Sequence, residues 1–119
     1  MGVYRVTIHL KLPSANDYIK ACRTNRYVGA KLKSETEDDI MLFLSVLPRF
    51  ERPVKIHFHW IEGNKRRDLD GIAFGKKFIL DALVKARKLI DDSSKYVVGF
   101  TDTFEYSKDT KVVLYIEEV

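Results

Sequence analysis

Alternation between apolar and polar residues predicts the strands of this chain. In "VYRVTIHLKL" (3–12) and in "PVKIHFHWIE" (53–62), every second residue is large and apolar. A period of two with many β-branched residues is typical of a strand that buries one face. The tail, "KYVVGFTDTFEYS" followed by "TKVVLYIEEV", predicts two further strands. The "KD" between these last two favours a hairpin turn.

The residues between the first two strands predict helices. "PSAND" breaks the first strand, and Ser14 or Asn16 can cap a following helix. The stretch "YIKACRTNRYVGAKLK" favours a helix, a turn and a second helix. In "SETEDDIMLFLSVLPRF" the acidic residues precede the apolar ones, which suits the dipole of a helix, and Pro48 ends the helical pattern.

The most regular helical pattern covers residues 71–90. Its apolar stripe consists of Ile72, Ile79, Leu83, Ala86 and Ile90, with Gly75 on the same stripe. The complete order is then β-α-α-β-α-β-β. This order predicts an α+β fold in which a mixed β-sheet of about four strands carries its helices packed on one face. Without a linker or an internal repeat, residues 1–119 are predicted to form a single domain.

Charge and cysteine content narrow the functional classes. The net charge is +4 and the isoelectric point is about 9.2. This excess of positive charge favours nucleic acid over acidic proteins as a partner. Cys22 is the only cysteine, which excludes an intrachain disulfide and a thiol metal site and fits a reducing compartment. The sequence shows no signal peptide and no apolar run long enough to span a bilayer. We therefore expect a cytoplasmic protein that does not associate with a membrane.

The densest positive charge runs directly into two carboxylates. In "KRRDLD" (65–70), three cations precede Asp68 and Asp70. On extended backbone, residues two apart project to the same side, where two carboxylates can share a divalent cation such as Mg²⁺. Leu69, between them, is expected to anchor the segment in the core. The alternative is a charge-balanced surface in which the acids only cap the following helix.

A second acidic pair, Asp91-Asp92, follows the predicted helix. A straight helix of some twenty residues would place it about 30 Å from the first pair. A single site therefore requires that the helix starts late, bends near Gly75, or is followed by a chain that folds back.

Other candidate residues have two interpretations each. Lys77 is spaced for an i,i+4 pair with Asp81, or could stabilise charge on a scissile phosphate. His57 and His59 have a spacing that can bind metal, but they are more typical of exposed strand residues, which could contact DNA. The aromatic residues near them and on the helix are predicted to be core rather than base-stacking residues: Phe58, Trp60, Phe74 and Phe78.

Three segments resemble the RusA family of Holliday-junction resolvases, small endonucleases common in prophages. They are "RRDLDGIAFGKKFILDAL", the "LIDD" that follows, and "LPSAN" (12–16) after the first strand. The family signature is a D-x-D-N segment, a lysine-bearing helix ending in D-x-L, and a D-D pair. The resemblance implies a bacterial or phage-encoded homodimer. It would cut branched DNA, the four-way junction, by paired symmetric nicks with Mg²⁺ in DNA recombination and repair.

The resemblance also implies roles for individual residues. The metal-binding catalytic acids would be Asp68, Asp70 and Asp92, with Asp91 in support. Lys77 would be the catalytic lysine, with Lys76 as the alternative. The DNA-binding cations would be Lys65, Arg66, Arg67 and Lys76. Gly71 departs from the family, which usually has Asn there, and this leaves open a junction-binding protein with weakened catalysis. A nuclease for flaps and a non-catalytic interaction module are the remaining alternatives.

Overall fold

The computed structural model describes residues 2–119 and contains four strands and four helical segments. Their bounds are β1 Val3–Ile8, α1 Ala15–Thr24, α2 Arg26–Leu44, β2 Val54–Glu62, α3 Leu69–Ala73, α4 Lys76–Lys85, β3 Val97–Tyr106 and β4 Lys111–Glu118. Because α3 and α4 together occupy the position of one predicted helix, the predicted order and the α+β class are confirmed. Among the described residues, no helix is both long enough and apolar enough to cross a bilayer.

The four strands form one mixed sheet in the order β1-β4-β2-β3. Strand β4 runs antiparallel to both β1 and β2, whereas β3 runs parallel to β2. The hairpin predicted for the last two strands is therefore wrong, since they lie on opposite sides of β2. The chain reaches β3 through a helical crossover, which delivers a strand parallel to the previous one. Residues 107–110 then pass over the end of β2 to start β4.

One face of the sheet carries the hydrophobic core. The alternation in β2 buries Val54, Ile56, Phe58 and Trp60, as predicted. The helices pack on this face through apolar side chains that are fully buried, which include Ile40, Leu44, Phe78, Ile79 and Leu83. Phe74 is partly buried and packs against the same cluster. The prediction that the aromatic residues belong to the core is confirmed.

The helix predicted over residues 71–90 is interrupted and ends early. It breaks at residues 74–75, where a Cβ on Gly75 would lie 3.0 Å from Leu12 Cδ1 and 3.3 Å from Trp60 Cζ3. This close approach holds the α3–α4 junction against the first loop and β2. Leu69 is 48% exposed, so the prediction that it anchors the segment in the core is wrong. It opens α3 on the solvent side of the short helix.

A Schellman motif stops α4 at Lys85. Arg87 has a left-handed backbone (φ 59°), and its N–H donates to Val84 O at 2.9 Å. The N–H of Lys88 donates to Leu83 O at 2.8 Å. These two bonds define the motif, whose left-handed position is usually occupied by glycine. Residues 86–90 are consequently not helical, and the chain folds back after Arg87.

We expect Arg87→Gly to stabilise the protein by about 0.5–1 kcal/mol. A non-glycine residue is strained in the left-handed region, and this gain exceeds the extra entropy that glycine gives the unfolded chain. Denaturant unfolding measures the difference. Arg87→Ala is the control, because it removes the same charge and keeps the strain. Equal stability of the glycine and alanine variants would contradict the assignment.

A candidate acidic and basic site

The D-x-D segment lies at the start of α3. Asp68 is the N-cap residue, with extended backbone (φ −70°, ψ 154°), and its side chain makes no capping hydrogen bond. Asp70 lies in the first turn, and both residues are exposed. In the part of the chain that the structure describes, neither carboxylate has a hydrogen-bond or ion-pair partner. A role limited to helix capping does not explain why both carboxylates lack a hydrogen-bond or ion-pair partner among the described residues.

The nearest cation, Arg67, points away from them into the protein. Its Nε donates to Glu62 Oε1 at 3.0 Å, and its Nη2 donates to Glu62 Oε2 at 2.9 Å. Its Nη1 donates to Leu12 O at 2.8 Å. The two side chains are only 16% and 7% exposed. This bidentate pair attaches the D-x-D segment to the end of β2 and leaves Asp68 and Asp70 without neutralisation.

The other two cations of the run remain in solvent. Lys65 and Arg66 are both exposed, and among residues 2–119 neither side chain forms an ion pair. Lys65 Nζ lies 5.2 Å from the centre of the Tyr106 ring. The backbone N–H of Arg66 donates to Asn64 Oδ1 at 2.9 Å, which orders the loop. Two of the three predicted cations of this run are therefore free to meet an anion.

The two adjacent lysines of α4 differ in environment. Lys76 is 14% exposed and pairs with Asp102 at 2.7 Å. The other oxygen of Asp102 accepts the Trp60 indole N–H at 2.8 Å, so Lys76 attaches α4 to β3. Lys77 is 47% exposed, with its Nζ 3.8 Å from Asp81. Between the two candidates for a catalytic lysine, Lys77 is the one that can reach a substrate.

The second acidic pair follows the end of α4, and Asp92 lies within electrostatic reach of Asp81. Although Asp92 is exposed, desolvation by its neighbours raises its pKa, and the negative charges of Asp81 and Asp91 raise it further. Asp81 lies on α4, beyond the break that separates this helix from Asp70 on α3. Asp81 forms an ion pair with Lys33, with 3.2 Å between Asp81 Oδ2 and Lys33 Nζ. This pair joins α4 to α2.

The two acidic pairs do not merge into one metal-binding cluster. Across residues 2–119, no group of three or more histidine, cysteine, aspartate or glutamate side chains is placed to hold a metal ion. Asp68 and Asp70 form one pair and Asp91 and Asp92 another.

The raised pKa of Asp92 predicts a pH dependence of stability. A carboxyl whose pKa is higher in the folded state than its ordinary 3.8 favours folding below that value. This contribution is lost as the pH rises through the folded pKa. We therefore expect Asp92→Asn to leave stability unchanged below about pH 3.8 and to raise it by a few tenths of a kcal/mol at neutral pH.

Denaturant unfolding between pH 3 and pH 7 measures this difference. Asp39→Asn, an exposed acid on α2, is the control for the loss of one charge. A stability gain that is greatest at pH 3 and disappears by pH 7 has the wrong sign and would contradict the assignment.

The "LPSAN" element lies beside the D-x-D segment. Ser14 caps α1 in a capping box, in which Asp17 N–H donates to Ser14 Oγ at 3.2 Å and Ser14 N–H donates to Asp17 Oδ2 at 3.0 Å. The Ser14 N–H holds the pKa of Asp17 below its usual value. A Cβ on Gly71 would meet only Ser14 Cβ, at 3.9 Å, so there is room for a side chain at position 71.

The histidines of β2 belong to a hydrogen-bonded ladder across to β3. The ring of His57 contacts Thr101 Oγ1 at 2.5 Å and Thr103 Oγ1 at 2.8 Å. The ring of His59 contacts Thr103 Oγ1 at 2.6 Å and Glu105 Oε1 at 2.8 Å. An ionised Glu105 can only accept, so His59 donates to it from Nε2. In the neutral tautomer that has this proton, Nδ1 accepts from the Thr103 hydroxyl, and the same order can continue to His57 and Thr101. All four ring nitrogens are engaged, which favours a structural role over a metal site.

Two buried or partly buried acids in this region, Glu62 and Asp102, are not among the residues predicted from the sequence. Glu62 continues the buried register of Val54 to Trp60, and a glutamate in a core register needs a buried cation. Asp102 is the polar member of the core-facing register of β3. The sequence shows that both acids occupy core-facing positions, but it does not show which cation pairs with each. Only the fold places Arg67 beside Glu62 and Lys76 beside Asp102.

Comparison with known proteins adds no assignment. No model of a known protein family matches the chain, and no curated protein matches it. Its function is therefore inferred from its own residues, their geometry and their resemblance to a known signature.

Proposed function

We propose that this protein is a Mg²⁺-dependent, structure-specific endodeoxyribonuclease of the bacterial or phage cytoplasm that resolves four-way DNA junctions as a homodimer. The supporting observation is that Asp68 and Asp70 have no partners although Lys65 and Arg66 next to them have none either, among the residues that the structure describes. A charge-balanced surface would pair these groups with each other. Unpaired acids beside unpaired cations suit a metal ion and a phosphate that bind together.

The donor set of the D-x-D segment fits Mg²⁺. This ion is commonly held by one or two carboxylates and keeps several waters, which phosphate oxygens can replace. Asp68 and Asp70 are exposed and would hold it. Among residues 2–119, Asp91 and Asp92 form no metal-binding group with them. When bound, the ion supplies an acidified water and positive charge at the scissile phosphate.

The remaining residues bind and orient the DNA. Lys65 and Arg66 would contact phosphates without reading bases, which gives sequence-independent affinity and a strong salt dependence. Lys77, on the exposed side of α4, would stabilise the charge that develops on the scissile phosphate. In a twofold-symmetric homodimer, two such sites would face two strands of a junction and produce paired nicks.

Cleavage of a labelled mobile four-way junction tests the proposal. Each strand is labelled in turn, with Mg²⁺ or with EDTA, and a flap and a linear duplex of equal length are cut in parallel. We expect symmetric nicks in the junction only, and only with Mg²⁺. Preferred cleavage of the flap would indicate a different branched substrate. Junction binding without nicks would indicate the weakened binding protein, and absence of DNA binding would contradict both.

The absence of Asn at position 71 favours the weakened form as a second candidate, and one substitution tests it. We expect Gly71→Asn to raise the cleavage rate by up to about tenfold, because polar groups next to metal ligands commonly contribute that much. Position 71 has room for the side chain. Single-turnover cleavage measures the rate, with Gly71→Ala as the control that adds a Cβ without the amide. An Asn variant no faster than the Ala variant would show that position 71 does not limit catalysis.

A further inference from the structure

Two loops that are distant in sequence meet at one end of the sheet. Strands β2 and β3 end together, with Glu62 paired to Tyr106, and β4 starts there with Lys111 paired to Ile61. The N–H of Ser107 donates to Glu62 O at 2.9 Å, and the N–H of Gly63 donates to Thr110 Oγ1 at 3.1 Å. The loop that follows β2 is thus joined to the loop that precedes β4.

This junction collects four cations that have no acidic partner in the described chain. Lys65, Arg66 and Lys108 are exposed and Lys111 is half-buried. Within residues 2–119, none of the four forms an ion pair. Asp109 is the one acid of the loop between β3 and β4. The four cations are called the two-loop surface below. It lies at the same end of β2 as the D-x-D segment, which directly follows Lys65 and Arg66.

We infer that Lys108 and Lys111 are DNA-positioning residues, and that the two-loop surface binds the phosphodiester backbone beside Asp68 and Asp70. The inference rests on the proposed function for the identity of the substrate and adds the surface that orients it. Lysines are point charges that suit phosphates without reading bases. The surface offers one aromatic ring, that of Tyr106, and no apolar centre of the kind that protein–protein interfaces bury.

The salt dependence of DNA binding tests the inference. Lys108→Gln with Lys111→Gln removes two charges and keeps most of each aliphatic stem. Binding of the full chain to a four-way junction is measured in EDTA from 50 to 300 mM salt. We expect the slope of log K against log salt to decrease in magnitude by about 1.8, and affinity at 0.1 M salt to fall by on the order of tenfold to a hundredfold.

A matched pair controls for net charge. Lys20→Gln with Lys95→Gln also removes two exposed lysines, one on α1 and one just before β3, at the opposite end of the sheet. The Lys20→Gln, Lys95→Gln variant should leave the slope of log K against log salt nearly unchanged. Lys108→Arg with Lys111→Arg should keep the wild-type slope, which excludes misfolding as the cause. Equal slopes for the two glutamine pairs, or wild-type DNA affinity in the loop pair, would overturn the inference.

Cleavage in Mg²⁺ separates the inference from the proposed function. If the wild type cuts the junction and the loop pair cuts equally fast at protein concentrations below saturation, the inference fails and the nuclease stands. If the wild type makes no nicks but the loop pair still loses affinity and slope, the surface stands and the nuclease fails.

Discussion

Asp70→Asn should reduce junction cleavage by about 10²–10³-fold while the protein still binds the junction. Asparagine keeps the size of the side chain but removes the charge that would hold Mg²⁺ against the scissile phosphate. Because Asp70 is exposed and has no partner among the described residues, its loss should change folding stability by no more than about 0.5 kcal/mol. Binding without cleavage is the combination that distinguishes a catalytic acid from a structural one.

Single-turnover cleavage in Mg²⁺ and junction binding in EDTA measure the two effects separately. Asp39→Asn is the matched control, because it removes an exposed acid from α2, far along the chain from the D-x-D segment. It should cleave at the wild-type rate. Wild-type cleavage by Asp70→Asn would refute the role of this acid, and so would a loss of cleavage fully explained by a loss of binding.

Arg67→Ala should destabilise the protein strongly, by about 3–5 kcal/mol. It removes the cation from a buried pair and leaves the Glu62 carboxylate, only 7% exposed, without its partner. The Leu12 carbonyl loses a donor at the same time. For a chain of this size we expect the melting temperature to fall by roughly 10–20 °C.

Denaturant unfolding compares this variant with its neighbour. Arg66→Ala removes an exposed cation and should change stability by no more than about 0.5 kcal/mol, while weakening DNA binding. Replacing both partners, Arg67→Met with Glu62→Leu, should recover most of the lost stability because no buried charge is left unpaired. If Arg67→Ala is as stable as Arg66→Ala, the pair does not hold the segment. Otherwise, loss of cleavage in an Arg67 variant reports folding rather than a lost phosphate contact.

Local patterns along the chain were enough to identify most elements and the acidic segment. Alternation placed Val54, Ile56, Phe58 and Trp60 in the core, because a strand has only two faces and the apolar one is buried. The capping "PSAND" located the start of α1, where Ser14 is the N-cap residue. The acids at 35–39, expected near a helix start, instead lie inside α2, which begins at Arg26. The D-x-D pair beside three cations was visible without any structure, because charge and spacing are properties of adjacent residues. Its role as a metal site remains a prediction.

Contacts between distant segments were decided only by the tertiary structure. Alternation says which face of a strand is buried but not which strand lies beside it, so the hairpin prediction failed where the crossover placed β3 parallel to β2. The end of α4 was missed because Arg87 occupies the left-handed position, without the glycine that usually marks such a stop. The pairing of Glu62 with Arg67 was also decided by the tertiary structure. A buried charge requires a partner, but the identity of that partner depends on which segments the fold brings together.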